Sequence, residues 1–202
     1  MKASPSWSLA RSVDPADAPL TLAQAKAQCG VVVSSDDALL DSYRLTAADL
    51  VELLSGEALL QQTWVRIATG FPDEDEPIAL PRPPLVSVTS VQYRDQNGAL
   101  QTWEPTKYRV ISVGRVGYIV PAFGQCYPAT DGSAPPDAVT ITFVCGRATA
   151  ATVPAKLMLA QRLLVAHWYA NRETVNVGNI VTNLPFGVDL LIGAPARVDP
   201  CW

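Results

Sequence analysis

The chain has 202 residues, of which 49% are hydrophobic and 17% are charged, and its net charge is −4. This length and composition support a packed core and exclude global disorder. The acidic balance argues against a protein that grips nucleic acid through its phosphates, because such binding needs a basic surface. The sequence has no apolar run of about eighteen residues and no apolar signal core at its N-terminus, so we expect neither a membrane span nor secretion.

Residues 1–19 are rich in proline, alanine, serine and aspartate, and we expect them to form an extended N-terminal arm. Thr21 and Gln24 then have the spacing of a capping box, in which each side chain satisfies a free backbone N–H group. This pattern predicts a short helix that ends near Gly30.

A longer helix is predicted between Asp36 and Gly56, with acidic residues in its first turns, where the helix dipole favours them. Its apolar residues recur at steps of three or four and predict one buried stripe. The stripe comprises Leu39, Tyr43, Ala47, Leu50 and Leu54. Between Asp36 and Glu57 six acidic residues stand against Arg44, a net charge of −5, so we expect the exposed face of this helix to be strongly acidic.

The pattern changes near Gln61 to short runs of alternating, β-branched or aromatic residues, which predict strands. The predicted strands are 63–69, 78–80, 86–93, 108–112, 118–120 and 139–144. Asn97-Gly98 between two such runs predicts a tight hairpin turn, because both residues tolerate a positive φ. Residues 61–147 are therefore predicted to form a compact, mostly antiparallel β domain.

Each of two segments in this β region can be interpreted either as a structural feature or as a binding site. The acidic run 73–76 has the carboxylates that hard cations prefer, but it lacks the spacing of a calcium loop, so we expect a solvated loop tip. The Pro-Arg-Pro-Pro run at 81–84 suits a polyproline groove of a partner, but we expect a stiff bend between two strands.

No catalytic, metal or cofactor motif stands out. The glycines fit no phosphate or dinucleotide fingerprint, and no serine stands in a Gly-x-Ser-x-Gly elbow. A zinc site needs about four convergent ligands, whereas His167 is the only histidine and we expect it to pack or to form hydrogen bonds. The cysteines form no Cys-x-x-Cys pair and are expected to be buried free thiols. They are Cys29, Cys126, Cys145 and Cys201.

The helical pattern returns at 153–174, where Thr152 and Pro154 suit a helix start. The net charge of this helix is +2, so it can pack against the acidic helix that precedes the β region. Its apolar stripe comprises Leu157, Ala160, Leu164 and Trp168. The expected fold class is α+β, with a helical domain (20–60 plus 148–196) built from both ends of the chain, an inserted β domain (61–147) and a tail (197–202).

Two C-terminal segments have features of an interface. Segment 175–184 is apolar and almost free of charge, and a short helix signal follows at 185–192. Segment 175–184 is either a β-ribbon folded back on the core or a subunit-contact or lumen-facing loop, since an exposed apolar loop needs a cover. The end 197–202 is either a plain tail or an anchor for a pocket on another protein. The candidate interface residues are Val175, Val177, Ile180, Val181, Leu184, Phe186, Arg197 and Trp202.

Three motifs occur in a characteristic order: LPRPPLVSVTSV, LLVAHWYANRE and LPFGVDLL. With the helices and strands around them, over residues 20–198, the chain resembles the head–tail connector (adaptor) proteins of long-tailed bacteriophages and related prophage elements, in the subgroup with a β insertion.

This resemblance implies a homo-oligomeric ring, typically a dodecamer, that docks beneath the portal protein of the capsid. The ring extends the DNA channel without sequence-specific binding and offers a platform to the next neck (stopper) or tail protein. The resemblance places the protein in the virion neck, after synthesis in the cytoplasm of a bacterial host, and it carries over no catalytic site. Heterologous contacts between oppositely charged helices would suit such a ring.

Two other function classes stay open from the sequence. One is a β-domain binding module for carbohydrate or a host surface, carried on a helical stalk and using exposed aromatic residues. The aromatic residues considered for it are Trp103, Tyr118 and Tyr127. The other is an enzyme of unrecognised type.

Overall fold

The computed structural model describes residues 5–73, 76–113, 116–172 and 187–193. These residues belong to two compact units. The β unit comprises 5–14, 61–73, 76–113 and 116–146, and the helical unit comprises 15–60, 147–172 and 187–193. Helices together with antiparallel sheets confirm the expected α+β class.

The described helices are α1 (Leu22–Cys29), α2 (Asp37–Ser55), α3 (Ala155–Ala170) and α4 (Val188–Ile192). Local capping signals mark both ends of α1 and the end of α2. The capping box is formed, since Gln24 N donates to Thr21 Oγ1 at 3.2 Å and Thr21 N donates to Gln24 Oε1 at 3.1 Å. Gly30 and Gly56 end α1 and α2 with φ values of 68° and 69°, a left-handed conformation that glycine adopts without steric cost.

The helix α3 differs from its prediction at both ends. Thr152 does not cap it, because Thr152 lies in a preceding 3-10 turn and donates its hydroxyl to Thr149 O at 2.7 Å. Pro154 occupies the N-cap position instead. The helix ends at Ala170, because Asn171 donates both its backbone N–H and its side-chain amide to His167 O at 3.0 Å.

One apolar core holds the helical unit together, and the predicted packing of α2 against α3 is confirmed. Along α3, Leu157, Ala160 and Leu164 are buried as predicted. Along α2, Ala47 is buried as predicted, and Tyr43, Leu50 and Leu54 are half-buried against the core. Leu40 and Val51 are also buried, whereas Leu39 is only half-buried. Burying a leucine side chain contributes about 1.5–3 kcal/mol. The buried residues of this core cluster are Leu20, Ala25, Leu40, Ala47, Val51, Leu59, Val153, Leu157, Ala160, Leu164, Val165, Val188 and Ile192.

The β unit consists of a five-stranded and a three-stranded sheet, both antiparallel. The strand order is β1-β2-β8-β4-β5 in the larger sheet and β3-β7-β6 in the smaller one. The strands are β1 (Trp7–Val13), β2 (Gln62–Ala68), β3 (Ile78–Leu80), β4 (Leu85–Arg94), β5 (Leu100–Thr102), β6 (Tyr108–Val113), β7 (Val116–Pro121) and β8 (Val139–Cys145).

The central strand β8 shows why this sheet forms. Its alternate residues Val139, Ile141, Phe143 and Cys145 are all buried, while the residues between them are half-buried. This period of two places one row of apolar side chains on a single face. At the edge of the sheet, Asn97-Gly98 lies in the predicted turn between β4 and β5, but only Gly98 of the pair has a positive φ, of 77°.

The strand β1 lies within the segment expected to form an extended arm, and the sequence did not predict it. It pairs with β2 from Trp7 opposite Ala68 to Val13 opposite Thr63. It forms one edge of the sheet and leaves most of its side chains exposed. An edge strand of this kind carries a weak alternation, so its hydrogen bonds to β2 decide its structure.

Candidate assembly surfaces

The eight candidate interface residues from the sequence lie outside the described residues, as does Cys201. The structure does describe the helices on either side of segment 173–186. The helix α3 precedes this segment and α4 follows it, and both helices pack in the helical unit.

A cluster of polar contacts fixes the end of α3. Tyr169 donates its hydroxyl to Asp36 Oδ2 at 2.6 Å, and Arg172 Nη2 lies 2.8 Å from the same oxygen. The Arg172 guanidinium also lies over the Tyr169 ring, 4.6 Å from its centroid. The hydrogen bond from Tyr169 and then that from Arg172 lower the pKa of Asp36. The chain therefore leaves α3 from a position that is fixed relative to the start of α2.

On the other side of that segment, α4 docks through two apolar side chains. Val188 and Ile192 are buried in the core of the helical unit. Leu190 points the other way and is 84% exposed. The helix therefore has one face in the core and one face that is open in the single chain.

His167 was expected to pack or to form hydrogen bonds. It is exposed, so the packing interpretation is wrong, and its Nδ1 lies 3.5 Å from the side-chain amide nitrogen of Asn171. The thiols also differ in part from the expectation, because Cys145 is buried while Cys126 is exposed.

The prediction of a strongly acidic exposed face on α2 is wrong in part, because some of its carboxylates are buried and form contacts within the helical unit. Glu52 and Glu57 are buried at 7% and 6% exposure. Glu52 accepts a hydrogen bond from Leu59 N at 2.7 Å, and Glu57 pairs with Arg147. Polar groups that are buried in this way act as structural links rather than as a charged surface.

Arg44 forms a second internal network on α2. It lies 2.6 Å from Asp17 and 2.7 Å from Asp41, and it donates to Leu20 O at 3.3 Å. The hydrogen bond from Arg44 is the largest cause that lowers the pKa of Asp17. This network ties the segment before α1 to the second turn of α2.

The described residues contain no group of three or more His, Cys, Asp or Glu side chains that could hold a metal ion, and no described helix is long and apolar enough to cross a bilayer. In the acidic run 73–76, residues 74 and 75 lie outside the described part, and Asp73 and Glu76 are exposed. The run 81–84 forms the expected bend between β3 and β4.

A cluster of aromatic side chains lies within the β unit. Phe71 stacks on Tyr127 at a centroid distance of 5.1 Å and meets Trp103 edge-on at 5.5 Å. Trp103 is only 3% exposed and Tyr127 is half-buried. The expectation that Trp103 is an exposed binding residue is therefore wrong, because the ring is a core side chain.

Phe123, which precedes Tyr127 by four residues, is fully exposed. It lies in a tight turn closed by a hydrogen bond from Gln125 N to Ala122 O at 2.9 Å, with Gly124 at a φ of 73°. The sequence analysis did not single out Phe123. The signal was present as an aromatic residue before a turn glycine, in a run (116–130) that contains no charged residue.

No protein-family model and no curated protein match the sequence, but solved structures share its fold. One is a chain from the neck of an empty GTA particle computed with C6 symmetry, with a TM-score of 0.74 and 24% identity over 95% of this chain and 97% of that chain. A second is from the virion of a native gene transfer agent (GTA) particle, with a TM-score of 0.73 and 24% identity over 94% and 96% of the two chains. A third is from the neck of a native GTA particle computed with C12 symmetry, with a TM-score of 0.72 and 23% identity over 95% and 97%.

Proposed function

We propose that this chain is a structural, non-enzymatic component of the neck of a phage-like particle, where it acts as a head–tail connector (adaptor). The observation that carries the proposal is the shared fold with chains from GTA necks and a GTA virion over 94–95% of this chain. The order of the LPRPPLVSVTSV, LLVAHWYANRE and LPFGVDLL motifs supports the same role independently.

The protein works as a ring of identical copies. Two of the similar necks were computed with C6 and C12 symmetry, which supports a closed ring, and twelve copies is the number we propose. The ring docks beneath the portal protein, extends the DNA channel and offers a platform to the next neck or tail protein. The helical unit serves as the connector domain, and the β unit is inserted in it.

The contacts with neighbouring copies and with the portal come from the two C-terminal segments. Segment 175–184 follows α3 in the sequence, and Tyr169 near the end of α3 is hydrogen-bonded to Asp36. Segment 197–202 follows α4. Apolar, uncharged segments of this kind suit the fully buried core of a protein interface. The proposed contact residues are Val175, Val177, Ile180, Val181, Leu184, Phe186, Arg197 and Trp202.

The net charge fits a channel that DNA passes through. Twelve copies with a charge of −4 each carry about −48, so the ring as a whole does not attract the phosphates of a passing duplex. The DNA is therefore a passing cargo and not a specifically bound ligand.

Electron microscopy of labelled particles tests this function. A short epitope can be inserted after Gly132, because a Cβ atom at Gly132 would have no other atom within 4 Å. The insertion is therefore expected to leave the packed regions intact. Antibody label is expected at the junction of head and tail, and deletion of the gene is expected to yield separate heads and tails, with rescue by the wild-type chain. Label at another place, or joined particles without the protein, rejects the proposal.

A further inference from the structure

The side chain of Asp36 does not cap the helix that it precedes. Asp36 occupies the N-cap position of α2, where an aspartate typically accepts a hydrogen bond from a backbone N–H of the first turn. Its side chain makes no such bond. Its Oδ1 accepts from the hydroxyl of Ser35 at 3.3 Å, and its Oδ2 is the atom that Tyr169 and Arg172 contact. The carboxylate therefore gives up a local contact for partners that are 133 and 136 residues away in the sequence.

The contacts of Asp36 with the end of α3 form a small network rather than a single surface pair. An exposed ion pair alone contributes little to stability, and the Arg172 side chain is 51% exposed. Here, however, Tyr169 and Arg172 bond to one oxygen atom, and the Arg172 guanidinium covers the Tyr169 ring. Each of the two side chains therefore restricts the other. The three residues Asp36, Tyr169 and Arg172 are called the α2–α3 latch below.

The latch holds the chain directly before segment 173–186. The helix α3 ends at Ala170, and the next two residues are each fixed by a polar contact. Asn171 N donates to His167 O at 3.0 Å, and Arg172 reaches Asp36. A chain that leaves a helix from a fixed point has less conformational freedom to lose when it docks on a partner.

A second carboxylate at the start of α2 has a different partner. Asp37 pairs with Lys26, which lies in the last turn of α1. The start of α2 is therefore joined to α1 by one aspartate and to the end of α3 by the other. Only the contact with α3 lies beside a segment that is proposed to meet other copies, so the two aspartates allow a matched comparison.

We propose that Asp36 is a positioning residue for ring assembly, because it holds the end of α3 through Tyr169 and Arg172 and so preorganises the chain that follows for contact with the next copy. The inference rests on the proposed ring and its C-terminal contacts. A side chain that served only the stability of α2 would cap that helix, whereas Asp36 leaves the cap unmade.

Asp36→Ser separates the two roles of this position. Serine caps a helix about as well as aspartate, but it has no carboxylate for Tyr169 and Arg172. The urea midpoint of the full-length monomer is expected to change little, because the cap that is gained offsets the contacts that are lost. Ring formation on the portal is counted by electron microscopy, and the protein concentration that gives half-maximal rings is expected to rise about 10-fold or more.

Lys26→Met is the matched control, because it breaks the ion pair of Asp37 with α1 and leaves the latch intact. It is expected to change the half-maximal concentration by less than about 2-fold, as for an exposed ion pair. Equal ring formation by Asp36→Ser and the wild type overturns the inference. A large drop in the urea midpoint of Asp36→Ser also overturns it, since Asp36 would then be needed for the fold itself.

Hydrogen exchange measures the latch in the monomer, without a ring. The Asn171 amide is expected to exchange about 10-fold faster or more in Asp36→Ser, because the end of α3 then opens more often. The amide of Leu164, in the buried middle of α3, is the internal reference and should be unchanged. Unchanged exchange at Asn171 would show that Asp36 does not hold this end of the helix, which overturns the inference.

A double variant tests whether Asp36 and Arg172 act through the same contact. Arg172→Met in the Asp36→Ser background should cause no further loss of ring formation, because the contact is already absent. Additive losses would assign the two residues separate roles and contradict the inference. Failure of the proposed function would be recognised differently, since the wild-type chain itself would then form no rings on the portal.

Discussion

Arg147 Nη2 lies 2.7 Å from Glu57 Oε2, and the two side chains are only 11% and 8% exposed. Glu57 stands just before the chain leaves the helical unit, and Arg147 is the first residue after the β unit. Arg147 also donates its Nη1 to Ala58 O at 3.1 Å. This ion pair therefore joins two segments of the helical unit, one just before residue 61 and one just after residue 146.

Removing Arg147 should destabilise the protein strongly. Arg147→Met breaks the buried ion pair with the Glu57 carboxylate, a change that typically costs about 3–5 kcal/mol. Urea denaturation followed by circular dichroism measures the change in the free energy of unfolding. Glu57→Gln combined with Arg147→Met should recover part of the loss, because a neutral amide is less costly to bury than a carboxylate.

The control is the exposed pair of Lys107 and Glu104, whose charged atoms are 3.4 Å apart. Lys107→Met is expected to change the free energy of unfolding by less than about 1 kcal/mol, as for other surface pairs. If Arg147→Met costs no more than this control, the ion pair does not hold the junction.

Local signals allowed the helices to be predicted better than the buried line along them. The capping box at Thr21 and the glycine at position 56 involve neighbouring residues, so the sequence contains their full explanation. The stripe on α2 was predicted only in part, because Arg44 also stands on the buried line, between Leu40 and Ala47. A buried arginine is acceptable only with distant partners such as Asp17, which periodicity does not reveal.

The β unit and the candidate surfaces show the same limit. The buried strand β8 was predicted because its alternation is complete, whereas β1 was missed because it is an edge strand that depends on β2. Trp103 and Phe123 are both aromatic residues in loops, yet one is buried and the other fully exposed. Only the tertiary packing against Phe71 separates them.

Acid should weaken the network around Arg44. Because the Arg44 guanidinium lowers the pKa of Asp17 below the usual value of 3.8, the ionised carboxylate is favoured in the folded state. The resulting stability is complete above pH 3.8 and is lost as the pH falls through the lower folded-state pKa. Carboxyl NMR titration is expected to show a pKa below 3.8 for Asp17 and an upward shift in Arg44→Gln, and an unchanged pKa in that variant would contradict the assignment.

Replacing Arg66 should stabilise the β unit. Burial lowers the pKa of Arg66 to about 10, so it is still charged at neutral pH, and its buried Nη1 finds no hydrogen-bond partner among the described residues. The guanidinium lies 4.2 Å from the centroid of the Trp7 ring. Arg66→Met keeps the apolar stem and removes the unsatisfied nitrogen, which should raise the free energy of unfolding by about 1–2 kcal/mol. Arg109→Met, at an exposed position of β6, should leave it unchanged, and a destabilised Arg66→Met would show that the ring contact dominates.

Replacing a leucine with alanine should lower the free energy of unfolding much more in the core of the helical unit than on its surface. Leu164 is fully buried, so Leu164→Ala is expected to cost about 2–5 kcal/mol in chemical denaturation. Leu53 on α2 is 65% exposed and provides a matched control of the same residue type. Leu53→Ala should cost less than about 0.5 kcal/mol, and equal losses at the two positions would place Leu53 in a contact that the structure does not show.

The double variant Val177→Asp and Ile180→Asp tests the C-terminal interface proposed for the ring. The flanking helices are fixed in the helical unit independently of this segment, α3 through Tyr169 on Asp36 and α4 through Val188 in the core. Two carboxylates in the segment should therefore leave the melting temperature of the monomer within about 2 °C, since surface changes are typically within ±0.5 kcal/mol. They should abolish ring assembly on the portal, because an interface core tolerates no unpaired charges. Melting curves measure the first effect, and electron microscopy of protein mixed with portal measures the second. A collapse in melting temperature would place both residues in the monomer core. Normal rings would show that the segment does not form part of the interface.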